Sequence, residues 1–178
     1  MQKNTVSILG SPEQIPQKIE GWNHTFQLAR PYIKGEGIGI DVGCREGGFA
    51  REMEKYFTHI HCFDFRDKKK MFVKNVMDIS KFTYHVCGIG DRQGTAFTTS
   101  NKVGRIKDGG SVSIPMTTLD LYNFENVTFI KYDIEGYELK ALKGSEQTIK
   151  KHSPVVVIEQ NRGNILPQEL LESWGYTC

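Results

Sequence analysis

The chain has 178 residues, 38% of them hydrophobic and 25% charged, with a formal net charge of +2. This is ordinary globular usage at a length that builds one core. The charge is too slight to argue for nucleic acid or an anionic membrane as a partner. No apolar run approaches the roughly 20 residues of a membrane-spanning helix. The opening MQKNTVSILGSPEQ has no signal-peptide pattern. A cytoplasmic protein with a single domain over residues 1–178 is the expectation.

Residues 1–35 read as a helical leader, with WNHTFQLARPYI (22–33) as its helix. From residue 37, apolar runs of strand length alternate with helix-like stretches. GIGIDV (37–42) is followed by GGFAREMEKYF (47–57), where Phe49, Met53 and Phe57 recur at helical spacing. HIHCFDF (59–65) leads into DKKKMFVKNVMDI (67–79), and FTYHVCGIG (82–90) follows as a third strand. NVTFIKYDI (126–134) leads into GYELKALKGSEQTIKKH (136–152), and PVVVIEQ (154–160) into LPQELLESWGY (166–176). Short apolar strands alternating with helices imply an α/β fold, a mainly parallel sheet covered on both faces.

The rhythm breaks at 92–125, an insertion between the third and fourth strands that contains no good helix. A small hairpin or a mobile loop is expected there, and the glycine-flanked stretch 101–110 would suit a lid. The cysteines Cys44, Cys62, Cys87 and Cys178 form no CxxC pair and read as reduced thiols.

Chemistry concentrates in GIGIDVGCREGGFA (37–50). This is not the dinucleotide pattern GxGxxG, because Gly37 and Gly39 lie inside the strand and the third position falls on Val42. No Gly-Lys-Ser/Thr follows, so it is not a phosphate loop either. What fits is Asp-x-Gly-x-x-x-Gly, Asp41 to Gly47, at a strand-to-helix turn, where Gly43 and Gly47 let backbone approach a ligand. Asp41 would repel a pyrophosphate and attract an ammonium. Asp64 ends the next strand, at the spacing from which an acid accepts hydrogen bonds from ribose hydroxyls. An ammonium, a ribose and no phosphate together describe S-adenosylmethionine. The other reading is a tight turn that happens to carry an acid.

FIKYDIEGYELKALKG (129–144), followed by PVVVIEQ, resembles the FkbM-type methyltransferases, a Rossmann-like class I branch of the S-adenosylmethionine-dependent enzymes. The resemblance rests on Ile130, Lys131, Asp133, Glu135, Gly136, Glu138, Leu142, Gly144 and Glu159. IGIDVGCREGGFA is similar to the first motif of that family and HCFDFRD to the second, where Phe-Glu-Pro is more usual. GIGDRQGTAFT, TTLDLY and LLESWGY extend the likeness over residues 36–176, and Arg45 stands where asparagine is usual.

The resemblance implies a three-layer α/β/α sandwich. Only five strands and the start of a sixth are visible, short of the last one or two strands of that class. The open edge would suit a partner, a second copy included. It also implies methyl transfer to a hydroxyl of a small molecule, sugar or lipid. Asp133 and Glu135 are the expected catalytic residues, taking the hydroxyl proton or orienting the acceptor; a helix-capping Glu135 is the bland alternative. Cofactor contacts are expected from Asp41, Gly43, Gly47, Asp64, Gly88 and Asp133, with the backbone of Cys87–Ile89 near the adenine. No metal is expected; Asp133, Glu135 and Glu159 are the set that would hold one. Two competing functions stand beside this one. One is methylation of a different acceptor, although the Asn/Asp-Pro-Pro-Tyr/Phe signature of nucleic-acid amino-methylation is missing. The other is a cofactor-binding subunit without catalysis.

Overall fold

The computed structural model describes residues 3–7, 21–98, 106, 110–159 and 164–178, with side chains from Thr25 onward. In chain order the elements are β1 (Lys3–Ser7), α1 (Gly21–Ala29), β2 (Ile38–Val42), α2 (Gly48–Met53), β3 (His59–Asp64) and α3 (Lys69–Asn75). Then come β4 (Phe82–Val86), β5 (Gly88–Ile89), β6 (Gly94–Thr98), β7 (Val112–Thr117) and β8 (Val127–Tyr132). The chain closes with α4 (Glu138–Lys143), α5 (Glu146–His152), β9 (Val155–Ile158), α6 (Leu166–Ser173) and β10 (Tyr176–Thr177).

Among the described residues seven strands form one sheet in the order β10-β1-β9-β8-β2-β3-β4, and each pairing in it is parallel. This is the Rossmann-like α/β arrangement. Successive residues of one strand enter opposite cores. Val156 and Ile158 of β9 join Ile40, Val42, Ile130 and Tyr132 on one face. Val155 and Val157 join Phe49, Met53, Ile60, Cys62 and Phe129 on the other. A strand buried on both faces carries apolar residues at every position, so β9 reads as an unbroken run rather than an alternation. Gly39 serves the second face: a Cβ there would lie 2.5 Å from Met53 Cε and 3.0 Å from Phe57 Cγ, so its bare backbone lets α2 lie close against β2.

Three expectations are corrected. The leader is not only helical: α1 is present, but Lys3–Ser7 is a strand paired to both β9 and β10. KNTVS is short and mostly polar, so nothing local marks it as β; its conformation comes from the two strands it lies between. The sheet edge beyond β9 is therefore filled by this chain's own β1 and β10, not left at five strands. Third, 82–90 is not one strand. It breaks after Val86, and β5 joins a separate three-stranded sheet in the order β5-β7-β6. The insertion holds the expected hairpin, with β6 antiparallel to β7, while most of the supposed lid, 101–105 and 107–109, lies outside the described residues. Among the described residues no helix is long and apolar enough to cross a membrane.

Candidate active site

The sheet order reverses direction at β2: the chain moves out through β3 and β4, then returns to β8 on the other side. Ligands of open α/β sheets bind at the carboxyl ends of the strands beside such a switch point. The loops after β2, β3 and β8 meet there, with Glu159 just past β9.

The loop after β2 is shaped by its glycines. Gly43 has φ +86°, and a Cβ on it would lie 2.0 Å from the Asp133 carbonyl oxygen. Gly47 has φ +87° and precedes α2. These are the turns only glycine makes at low cost. Gly43 and Gly47 are thus where the sequence placed them. A cavity of about 240 Å³ opens beside this loop, lined by Gly43, Cys44, Arg45, Phe49, Asn75 and Lys131 among others. That is below the roughly 300–1,000 Å³ of sites for drug-sized ligands and suits an amino-acid-sized group. A larger cavity near Gly35 and Glu36 lies at the other end of β2, away from the switch point.

Asp41 departs from its expected role. It is fully buried. Lys131 directly opposes it in the β2–β8 register and donates from Nζ to Asp41 Oδ1 at 3.0 Å. Burial raises the Asp41 pKa and Lys131 pulls it back. For Lys131, burial alone would lower the pKa, but Asp41 and Asp133 outweigh it and hold the ammonium charged. The carboxylate expected to attract a ligand's ammonium therefore already holds one from its own chain. Removing either member of a buried pair leaves an uncompensated charge, at about 3–5 kcal/mol. Lys131 was visible only as part of a motif. The available signal was a lysine inside the apolar run of β8, which needs a buried counter-charge.

Asp64 ends β3 as expected, but its carboxylate is engaged by Arg66. Arg66 donates from Nε to Oδ1 and from Nη2 to Oδ2, both at 2.8 Å. Gly88 lies in β5, where a Cβ would come within 2.5 Å of Met116 Sδ, so that side of it is closed by packing.

The loop after β8 is the most constrained. Glu135 has φ +59° and Gly136 φ +97°, and a non-glycine residue there stores strain, a feature concentrated at functional sites. Glu138, buried, holds the turn: its Oε1 accepts from the backbone N–H of Ile134 and of Gly136, each at 3.1 Å. Burial still raises its pKa despite those donors. Glu138 is thus the residue that caps the turn. Glu135 instead reaches across the crevice to Arg45, Nη2 to Oε1 3.0 Å. Arg45 is itself left-handed, with φ +49°.

Asp133, Glu135 and Glu159 bring carboxylate oxygens within 4.8 Å of one another, the one such group found among the described residues. Glu159 sits just past β9, its N–H donating to the Tyr132 carbonyl at 2.8 Å. Burial, then the charge of Asp133 and a hydrogen bond with it, push the Glu159 pKa up to about 7. Carboxylates this close repel one another's charge, so Glu159 keeps its proton to higher pH than an isolated acid. Such a group can accept a proton near neutral pH, or furnish oxygens to a hard cation. In the sequence Glu159 stood as a motif residue and a candidate metal ligand; its position just past β9, next to the strand that Asp133 follows, is what brings it in.

The family described as Methyltransferase FkbM domain matches residues 19–176. The fold is similar to the crystal structure of methyltransferase FkbM from Methylobacillus flagellatus KT, with TM-score 0.64 and 21% identity. That likeness covers 92% of this chain and 44% of the other, so the chain spans less than half the length of that protein. No curated protein matches the chain.

Proposed function

The chain belongs to the FkbM methyltransferase family, and we propose that it transfers a methyl group from S-adenosylmethionine to a hydroxyl oxygen of a small molecule, sugar or lipid. One observation carries the reading: Asp64, Asp133, Glu135 and Glu159 gather at the carboxyl ends of β3, β8 and β9, around the loop of Gly43 and Gly47. These acids repel phosphate and accept from ammonium and hydroxyl groups. That acceptor set fits a cationic, ribose-bearing cofactor and disfavours a dinucleotide.

The cofactor, when bound, supplies a methyl group already activated on a sulfonium. What remains for the protein is to align donor and acceptor, with reacting atoms about 3–3.5 Å apart, and to manage one proton. Glu159, poised near neutrality beside Asp133, is suited to accept the acceptor's hydroxyl proton. Glu135 orients the acceptor from its fixed left-handed turn, and Arg45 steadies it from the opposite loop. Asp41 and Lys131 lie beneath, holding the ends of β2 and β8 in register.

The test is calorimetric titration of the chain with S-adenosylmethionine and S-adenosylhomocysteine, with NAD in parallel. Micromolar binding of the first two, at about −8 kcal/mol, and none of NAD is the expected result. A folded chain that gives no heat with either, or that takes up NAD as well as it does them, sinks the reading.

A further inference from the structure

Asp64 is the acid from which ribose recognition is expected, and in the free chain every acceptor position on it is filled. Oδ1 accepts from the backbone N–H of Arg66 at 2.9 Å and from Arg66 Nε at 2.8 Å. Oδ2 accepts from the backbone N–H of Arg45 at 3.0 Å and from Arg66 Nη2 at 2.8 Å. A carboxylate offers about four lone-pair sites, so none is left over. The four donors are of two kinds. Two are backbone amides that fix the carboxylate on its loop. The other two belong to one side chain at the rim, 14% exposed against 1% for the Asp64 side chain.

A guanidinium presents Nε–H and Nη–H as a parallel pair, which is why it grips carboxylates with both. The 2′- and 3′-hydroxyls of a ribose present the same pattern of two adjacent donors. We propose that Arg66 is a built-in stand-in for the ribose diol. It closes Asp64 in the free chain and has to swing aside before a nucleoside can enter. If it leaves, the two backbone amides keep Asp64 in place with one acceptor site free on each oxygen. Arg66 thereby sets cofactor affinity and favours ligands that carry both hydroxyls, since a single hydroxyl replaces only half of what it displaces. The inference rests on the S-adenosylmethionine reading of this site.

The test is titration with S-adenosylhomocysteine of the full chain, of Arg66→Ala and Arg66→Lys, and of Asp64→Ala alone and combined with Arg66→Ala. S-adenosylhomocysteine lacks the sulfonium, so a gain cannot come merely from removing a positive charge beside a cation. Arg66→Ala should bind about tenfold more tightly or better, since two charge-assisted bonds no longer have to be broken. Arg66→Lys keeps the charge without the two-donor fork and should gain part of that. The gain should vanish in the Asp64→Ala background, which a purely structural role for Arg66 does not predict. Equal or weaker binding by both Arg66 variants, with unchanged circular dichroism, overturns the gate while the cofactor reading stands. If the full chain and every variant fail to bind, the cofactor reading falls and the gate with it.

Discussion

At the scale of single residues the site is governed by crowding of like charge. Asp133, Glu135 and Glu159 face one another, and Glu159 answers by holding its proton up to about 7, against an ordinary 4.5. The sign of the consequence follows from linkage. A carboxyl whose folded pKa lies above its unfolded one stabilises the fold fully below the unfolded value, about 4.5, and loses that contribution as pH rises through about 7. Glu159→Gln keeps the shape and cannot ionise. Relative to wild type, the variant should gain stability between pH 4.5 and pH 8, read as urea midpoints at several pH values. Parallel midpoint curves would show that Glu159 titrates as an ordinary surface acid. The same substitution should remove an inflection near pH 7 from the rate of methyl transfer, because a base works best with a pKa near the operating pH.

At the scale of elements, the loop after β2 decides whether the crevice exists. Gly43 has both a left-handed φ and a Cβ position blocked by main chain, the Asp133 carbonyl oxygen at 2.0 Å. Gly35 is left-handed as well, φ +75°, but meets nothing within 4 Å. The pair separates strain from collision. Gly35→Ala should cost about 1–2 kcal/mol, the penalty of a left-handed residue with a Cβ. Gly43→Ala should cost more by about 2 kcal/mol or beyond, because backbone cannot rotate out of the way as a side chain does. Equal losses in thermal melts would mean that the β2 and β8 loops separate easily. Gly43, Gly47 and the strand-helix alternation were legible because they are local: each depends on residues a few positions apart. Arg45 was legible only as a departure from a motif. Asparagine tolerates the left-handed conformation found there, whereas this chain places an arginine in it and gains the reach to Glu135. The partner of Asp41 went unread for the opposite reason. Its partner Lys131 lies 90 residues away, and only the register of two parallel strands brings them level. Arg66 could be read as a residue near Asp64, but not as one occupying it, because rotamers are chosen by the surroundings and not by spacing.

At the scale of the whole molecule, the sheet is completed from the far end of the chain. β1 pairs with β9 through Thr5–Val156, Val6–Val157 and Ser7–Ile158. On its other side it pairs with β10 through Lys3–Tyr176 and Asn4–Thr177. Among the described residues β10 has no other strand partner, so β1 is the splice that joins the last two residues of strand to the sheet. It precedes the span that matches the family, which begins at residue 19. Removing residues 1–18 would therefore leave a recognisable family domain with β9, a run of valine and isoleucine, as an open edge. Such edges aggregate unless covered. Backbone hydrogen bonds contribute about 1 kcal/mol each, so losing several at once would remove on the order of 3 kcal/mol from a stability of about 5–15 kcal/mol. Hydrogen exchange should rise at Val155–Ile158 and at Tyr176, while β2 and β3, three and four strands from β1, keep their protection. Because the lost contacts are those of a strand, a synthetic peptide of residues 1–8 should restore protection by adding itself to the same edge. Undiminished protection at Tyr176 in the shortened chain would show that β10 is held by α6 packing alone, and that β1 rests on a sheet already complete without it.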